Sequence, residues 1–169
     1  MYLTSDPIDL SSLVALVHSP SRGGVACFLG TVRNHQGGRD VLRLDYSAYT
    51  PMAEAECARI AAEAESRWQC AVALRHRIGR LEIGEAAVAI AVASSHRDEA
   101  FVACRYVIEE VKRRVPIWKR EVYADGSVEW VGAGGEAGKT VSGEAGKTVS
   151  GAGDKTGAEL ISQRAGESR

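Results

Sequence analysis

Val88-Ala89-Ile90-Ala91-Val92-Ala93-Ser94-Ser95-His96-Arg97-Asp98-Glu99-Ala100-Phe101 is the stretch on which the fold turns. Val88, Ile90 and Val92 alternate with the period of a β-strand, and Ser95 with Asp98 resembles the two halves of a capping box that opens a helix. The helix has a core face of Ala100, Phe101, Cys104, Ile108 and Val111, and it has to end before Pro116. Beyond it, residues 117–123 and 127–131 flank Asp125-Gly126, a two-residue hairpin signal. Toward the N-terminus, Val72, Leu74, His76 and Ile78 alternate as a preceding strand, with a turn at Gly84. Thr50-Pro51 marks a helix start, since proline at the first helical position sacrifices no needed donor. Ala53, Cys57, Ile60, Ala61, Ala64 and Trp68 form the stripe of that helix. Leu42, Leu44 and Tyr46 alternate as another strand, after a polar loop at Gly37-Gly38 and an earlier strand over residues 24–33. Asp9 is placed to cap a short helix that runs through His18. The order α-β-β-α-β-β-α-β-β predicts an α+β domain with helices packed on a largely antiparallel sheet.

The 169 residues are 45% hydrophobic and 25% charged, and 21 Lys+Arg face 22 Asp+Glu, giving a net charge of −1. That is ordinary globular composition. No apolar run approaches the ~20 residues needed to span a bilayer, and the first residues lack a basic region followed by an apolar one. A cytoplasmic protein that neither spans a membrane nor is secreted is expected. Cys27, Cys57, Cys70 and Cys104 form no C-x-x-C pair and read as reduced, mostly buried thiols. Ten of the 18 glycines lie from Gly132 onward, whereas every Trp, Phe and Tyr lies at or before Trp130. The folded domain is therefore expected over residues 1–131, and a Gly-rich, repetitive, flexible tail over residues 132–169. In that tail Gly135-Glu136-Ala137-Gly138-Lys139-Thr140-Val141-Ser142 is followed by a near-copy from Gly143. Its Gly-Lys-Thr triplets are not a phosphate loop, because Ala133 and Val141 stand where that motif requires glycine. Repeats without aromatics bury too little apolar surface to offset chain entropy. Deletion after Val131 is expected to leave the thermal midpoint nearly unchanged; a fall of many degrees in a melting experiment would contradict this.

Candidate chemistry gathers at three places: Thr31-Val32-Arg33-Asn34-His35 at a strand end, His96-Arg97 at a helix start, and the stretch from Lys112 to Glu121. Backbone N–H groups and the helix dipole at His96-Arg97 favour an anion, and arginine grips phosphate bidentately. The third stretch carries five cations in nine residues, at 112, 113, 114, 119 and 120. Lys119, set between Trp118 and Arg120, is expected to be partly desolvated beside a like charge, which suits a lysine for acid or base work. His76 is in phase with the apolar residues of its strand and reads as a hydrogen-bonded core histidine. Two other readings stay open on residues alone. A nucleic-acid or polyanion binding module would use the same Lys112 to Arg120 patch, although the near-neutral chain argues against it. A metal-dependent hydrolase could draw on His35, His76 and His96, which match no ligand motif.

Phe28-x-Gly30-x-Val32-Arg33-Asn34-His35, Tyr46-x-x-Tyr49-x-x-Met52-Ala53, His76-Arg77-x-Gly79, Ser95-His96-Arg97-x-x-Ala100-Phe101 and Lys112-x-x-x-Pro116-Ile117-Trp118-Lys119-Arg120-Glu121 occur in order along the chain. Together they resemble the large, catalytic subunit of the molybdopterin synthase family. The resemblance implies an α/β hammerhead-like fold with an added β subdomain. It also implies a sulfurtransferase that converts cyclic pyranopterin monophosphate to molybdopterin. The sulfur comes from the C-terminal Gly-Gly thiocarboxylate of a small ubiquitin-like partner, within a heterotetramer built on a homodimer. By position, Lys119 and Lys112 would be the catalytic lysines, Lys119 as acid/base and Lys112 near the carboxyl terminus of the donor. Arg33, His96, Arg97, Lys119, Arg120 and Glu121 would line the pterin-phosphate pocket, bordered by Thr31 and Val32. The chemistry so implied needs no metal or organic cofactor, and no nucleic acid or membrane. One departure is Ser47, where the family often has glutamate.

Overall fold

The computed structural model describes residues 1–132 and 137–138. Its elements are β1 (Leu3–Thr4), α1 (Leu10–Val17), β2 (Gly24–Thr31), β3 (His35–Gln36), β4 (Arg39–Ala48), α2 (Thr50–Trp68), β5 (Ala71–Arg77), β6 (Gly79–Glu82), β7 (Ala86–Ser94), α3 (Arg97–Arg114), β8 (Ile117–Tyr123), β9 (Val128–Val131) and β10 (Ala137–Gly138). The strands form two sheets, a four-stranded one ordered β1-β5-β7-β2 and a six-stranded one. In the second, β10-β9-β8-β4-β3 run in order and β6 joins β4. Every pairing is antiparallel except that of β1 with β5. The α+β class holds, with two sheets in place of one.

The alternation in β7 is between large and small residues, both buried. Val88, Ile90 and Val92 pack into the core shared with α2 and α3, while Ala89, Ala91 and Ala93 pack against Leu13 and Val17 of α1. Alanine on one face lets α1 lie close to the sheet, so the sheet is covered on both sides. The stripe of α2 is as expected: Ala53, Cys57, Ile60 and Ala64 are wholly buried, and Trp68 packs against the same core. Asp9 caps α1, accepting from the Ser11 and Ser12 amides at 3.0 and 3.2 Å. Cys57, Cys70 and Cys104 are buried free thiols, but Cys27 is exposed on β2.

Several local expectations are corrected. The turn at Gly84 forms as expected, but a further strand, β6, lies between β5 and that turn and joins β4 through Leu81, opposite Leu44. Gly37 and Gly38, expected in a loop, take φ of +57° and +79° as the central residues of a tight β3–β4 hairpin, a conformation that glycine adopts without strain. Leu42 is half exposed because a bulge between Val41 and Arg43 puts it out of phase, and Val41 is buried in its place. The capping box does not form, since α3 starts at Arg97 with His96 as an N-cap that makes no side-chain hydrogen bond. Phe101 is 65% exposed, and the buried face of α3 instead includes Ala103 and Val107. The β8–β9 turn has three residues, with the Tyr123 amide donating to the Ser127 carbonyl at 3.0 Å and Gly126 at φ +82°. Ala137 and Gly138 pair with Val131 and Trp130. Apart from these two and Gly132, the expected tail lies outside the described residues.

Candidate active site

A cleft of about 1030 Å³ opens between the inner face of the six-stranded sheet, the last turns of α3 and the end of β2. Strand periodicity determines what the sheet presents to it. Lys119, Glu121 and Tyr123 of β8 share one face, opposite Tyr46, Leu44 and Val41 of β4, and Glu129 of β9 stands beside Glu121. All of these line the cleft, as do Thr31, Arg33, His35 and Arg39, and Lys112 and Arg113 from α3. Gly30 brings the β2 backbone against Val88: a Cβ there would lie 2.8 Å from Val88 Cγ1.

Lys119 Nζ stands 2.8 Å from Glu121 Oε1, and the Glu121 side chain is 3% exposed. The second Glu121 oxygen accepts the Tyr123 hydroxyl. Burial pushes the Glu121 carboxyl up, but the bonds from Lys119 and Tyr123 outweigh it and hold the group below the usual carboxylate range. Burial, and then the Glu121 charge, push Tyr46 up to about 12. Its ring meets His76 edge-on with centroids 5.2 Å apart. His76 Nδ1 lies 2.8 Å from the Arg77 carbonyl, which only accepts, so Nδ1 carries the proton. Burial holds His76 below its ordinary value, and it forms part of the cleft wall as the hydrogen-bonded, near-core histidine that its phase suggested.

Of the predicted site residues, Thr31, Arg33, Lys112, Lys119 and Glu121 come together in this cleft. Arg33 donates to Gln36 Oε1 at 2.6 Å. Among the described residues, neither Arg33 nor Lys112 has a carboxylate within 4.0 Å. Val32, expected to border the site, does not line the cleft: its side chain is buried with Val41, Leu44, Leu81 and Tyr123, and its backbone donates to the Glu85 carbonyl and accepts from the Gly84 amide. Arg120 sits on the opposite face of β8, where its guanidinium donates to Asp45 at 2.7 Å. The expected like charge beside Lys119 is therefore replaced by a carboxylate. Glu121 lines the cleft with both oxygens engaged inside the protein and holds the lysine.

His96 and Arg97 lie apart. They sit at the far end of α3 from Lys112, a separation of about 22 Å for fifteen helical residues. The start of β2 confirms the placement, because a Cβ on Gly24 would approach Arg97 Cα to 3.1 Å, whereas the other end of β2 reaches the cleft. Arg97 is exposed, 3.7 Å from Asp98. Position 47 also faces away, so a glutamate in place of Ser47 would not enter the cleft.

The basic patch is divided in the same way. Arg114 is bound to Glu56, Glu63 and Glu110 at 2.5, 2.6 and 3.2 Å, tying α3 to α2, and Arg113 pairs with Glu110. Arg114, then the Tyr106 hydroxyl, hold Glu63 down to about 2. A continuous cationic surface for a nucleic acid is not present among the described residues. His35, His76 and His96 fall on β3, β5 and the cap of α3, and no three metal-ligating side chains are grouped among the described residues. No helix described is long and apolar enough to cross a membrane. Sequence reasoning missed Arg39, Tyr123 and Glu129. The i, i+2, i+4 spacing of Lys119, Glu121 and Tyr123 was the signal that one strand face carries them.

Fold and cleft define an α+β protein with a cationic, part-apolar ligand site between a sheet and a helix end. The family model described as MoaE protein matches residues 3–114, and the chain belongs to that family. It is 46% identical over 131 residues to the molybdopterin synthase catalytic subunit of Bacillus subtilis, covering 77% of this chain and 83% of that one. The crystal structure of molybdopterin synthase from Staphylococcus aureus superposes with a TM-score of 0.73 at 38% identity, over 76% of this chain and 94% of that one. A complex of subunits 1 and 2 of molybdopterin-converting factor from Helicobacter pylori shares the fold, with a TM-score of 0.60 at 18% identity over 73% and 85%.

Proposed function

We propose that this chain is the catalytic subunit of a molybdopterin synthase. It transfers sulfur from the C-terminal Gly-Gly thiocarboxylate of a small ubiquitin-like subunit to cyclic pyranopterin monophosphate, forming the dithiolene of molybdopterin. One observation carries the reading: a single cleft holds two cations without carboxylate partners among the described residues, Arg33 and Lys112, beside a third, Lys119, already balanced by buried Glu121. Substrate and donor are both anions, so their approach costs Coulomb energy that fixed cations offset. Arg33 takes the phosphate by its planar fork. Lys112 meets the thiocarboxylate end of the donor, whose sulfur is itself the nucleophile. Lys119, aimed by Glu121, moves the proton as the phosphate ring opens and water leaves.

His96 and Arg97 stand about 22 Å from Lys112 along α3, and a second copy of the chain would bring them to the cleft; a homodimer within a heterotetramer supplies that copy. The reactions belong to the cytoplasm. The test is a reconstituted mixture of this chain, the thiocarboxylated small subunit and the cyclic pyranopterin. Product dithiolene is expected as the donor end reverts to a carboxylate, seen by mass measurement. Absence of product, with retention on heparin that is lost at moderate salt, would instead favour the polyanion-binding reading.

A further inference from the structure

Behind the Lys119–Glu121 pair lies a second layer of charge. Tyr123 is 1% exposed and its hydroxyl faces two carboxylates, Glu121 in close contact and Glu129 at 3.3 Å. A phenol has one proton to donate, so only one of the two can receive it. Arg39 decides which. Its guanidinium lies 3.7 Å above the Tyr123 ring centroid and 2.6 Å from Glu129 Oε1, and it also donates to Ser127 Oγ at 3.3 Å. Glu129 is thereby balanced by a cation, and the Tyr123 proton is left to Glu121. Burial, then the bond to Glu121, push the phenol above its ordinary value, so it remains a donor across the neutral range.

We propose that Tyr123, with the Arg39–Glu129 pair behind it, is a positioning residue for Lys119: its hydroxyl fixes the Glu121 carboxylate, and Glu121 in turn aims the ammonium into the cleft. This rests on the sulfurtransferase reading and deepens it. Five side chains from three strands, Lys119, Glu121 and Tyr123 of β8, Glu129 of β9 and Arg39 of β4, form a run of ion pairs and hydrogen bonds that begins at the reacting group and ends at the rim. A carboxylate with one free oxygen has two rotamer wells and can turn from its lysine; one clamped at both oxygens cannot.

The test uses the reconstituted complex with the thiocarboxylated subunit and the cyclic pyranopterin. Tyr123→Phe keeps the buried ring and the stacked Arg39, and removes only the hydroxyl. Its kcat is expected to fall roughly tenfold with KM for both substrates unchanged, in line with one lost hydrogen bond to a charged group. The hydroxyl helps to hold Glu121 ionised, so its loss moves the acid limb of the kcat profile to higher pH. The groups that face Glu121 are Lys119 and Tyr123 on β8, Glu129 on β9, and Arg39 and Tyr46 on β4. The carboxyl carbon resonance of Glu121 reports the same shift without turnover. Wild-type kcat and pH profile in the variant would overturn the proposal while leaving the function intact. An inactive wild-type complex would overturn the function, and an unmoved Glu121 titration would then overturn the clamp by itself. Should Tyr123→Phe melt early, Arg39→Gln is the second probe. It frees Glu129 to compete for the hydroxyl and is expected to lower kcat in the same direction; raised KM with kcat preserved would make Arg39 a substrate ligand and overturn the relay.

Discussion

Replacing Lys119 by alanine is expected to lower dithiolene formation by about 10²- to 10⁴-fold, the usual contribution of one positioned proton-transfer group. Substrate affinity should change little. Lys119 is neutralised by Glu121 at 2.8 Å, so the attraction for anions comes from Arg33 and Lys112. The variant also carries a stability cost that separates it from a simple deletion. Glu121 is 2% exposed, and losing its cation leaves a buried charged acceptor short of one partner, worth about 1 to 3 kcal/mol. The double variant Lys119→Ala/Glu121→Gln removes that charge and should recover much of the lost thermal stability without recovering activity. Near-normal turnover of Lys119→Ala, measured with saturating thiocarboxylated partner, would remove Lys119 from the chemistry.

Much of the fold was legible because its signals are local. Thr50-Pro51, the Ala53 to Ala64 stripe and the alternation in β7 each carry their meaning within one or two turns of chain. What the sequence hid depends on distant partners. β6 is four residues long, and only its pairing with β4 makes it a strand. The bulge at Leu42 is a shift in the register of β4 against β8, a pairing that no window around Leu42 contains. Phe101 reads as core by composition, yet the faces of α3 toward α2 and toward β2 and β7 are already filled by smaller residues. In the cleft, Lys112 and Lys119 were recognisable from their motif, and Arg33 from its place at a strand end. Two separations follow from geometry alone: adjacent residues in a strand face opposite ways, which puts Arg120 on the other face from Lys119, and fifteen helical residues separate Arg97 from Lys112 within one chain.

Reversing the charge at Lys112 separates capture of the donor from chemistry. Lys112 is exposed on the last turn of α3, where its own charge is also favourable to the helix dipole. In Lys112→Glu an attractive contact with the anionic end of the donor becomes a repulsive one. At an effective dielectric near 20 each unit interaction at close range is worth a few kcal/mol, reduced by solvent at so open a position, and KM for the thiocarboxylated partner should rise on the order of 10²-fold. Lys112→Gln loses the attraction without adding repulsion, so it should fall between the two, within about tenfold of wild type. Both effects should shrink as salt rises, since screening at physiological ionic strength acts over about 8 Å. At saturating partner, kcat should be close to wild type, because Lys119 and its Glu121–Tyr123 clamp are untouched. The opposite split, KM raised for the cyclic pyranopterin and unchanged for the partner, would move Lys112 to the phosphate and leave Arg33 to meet the donor.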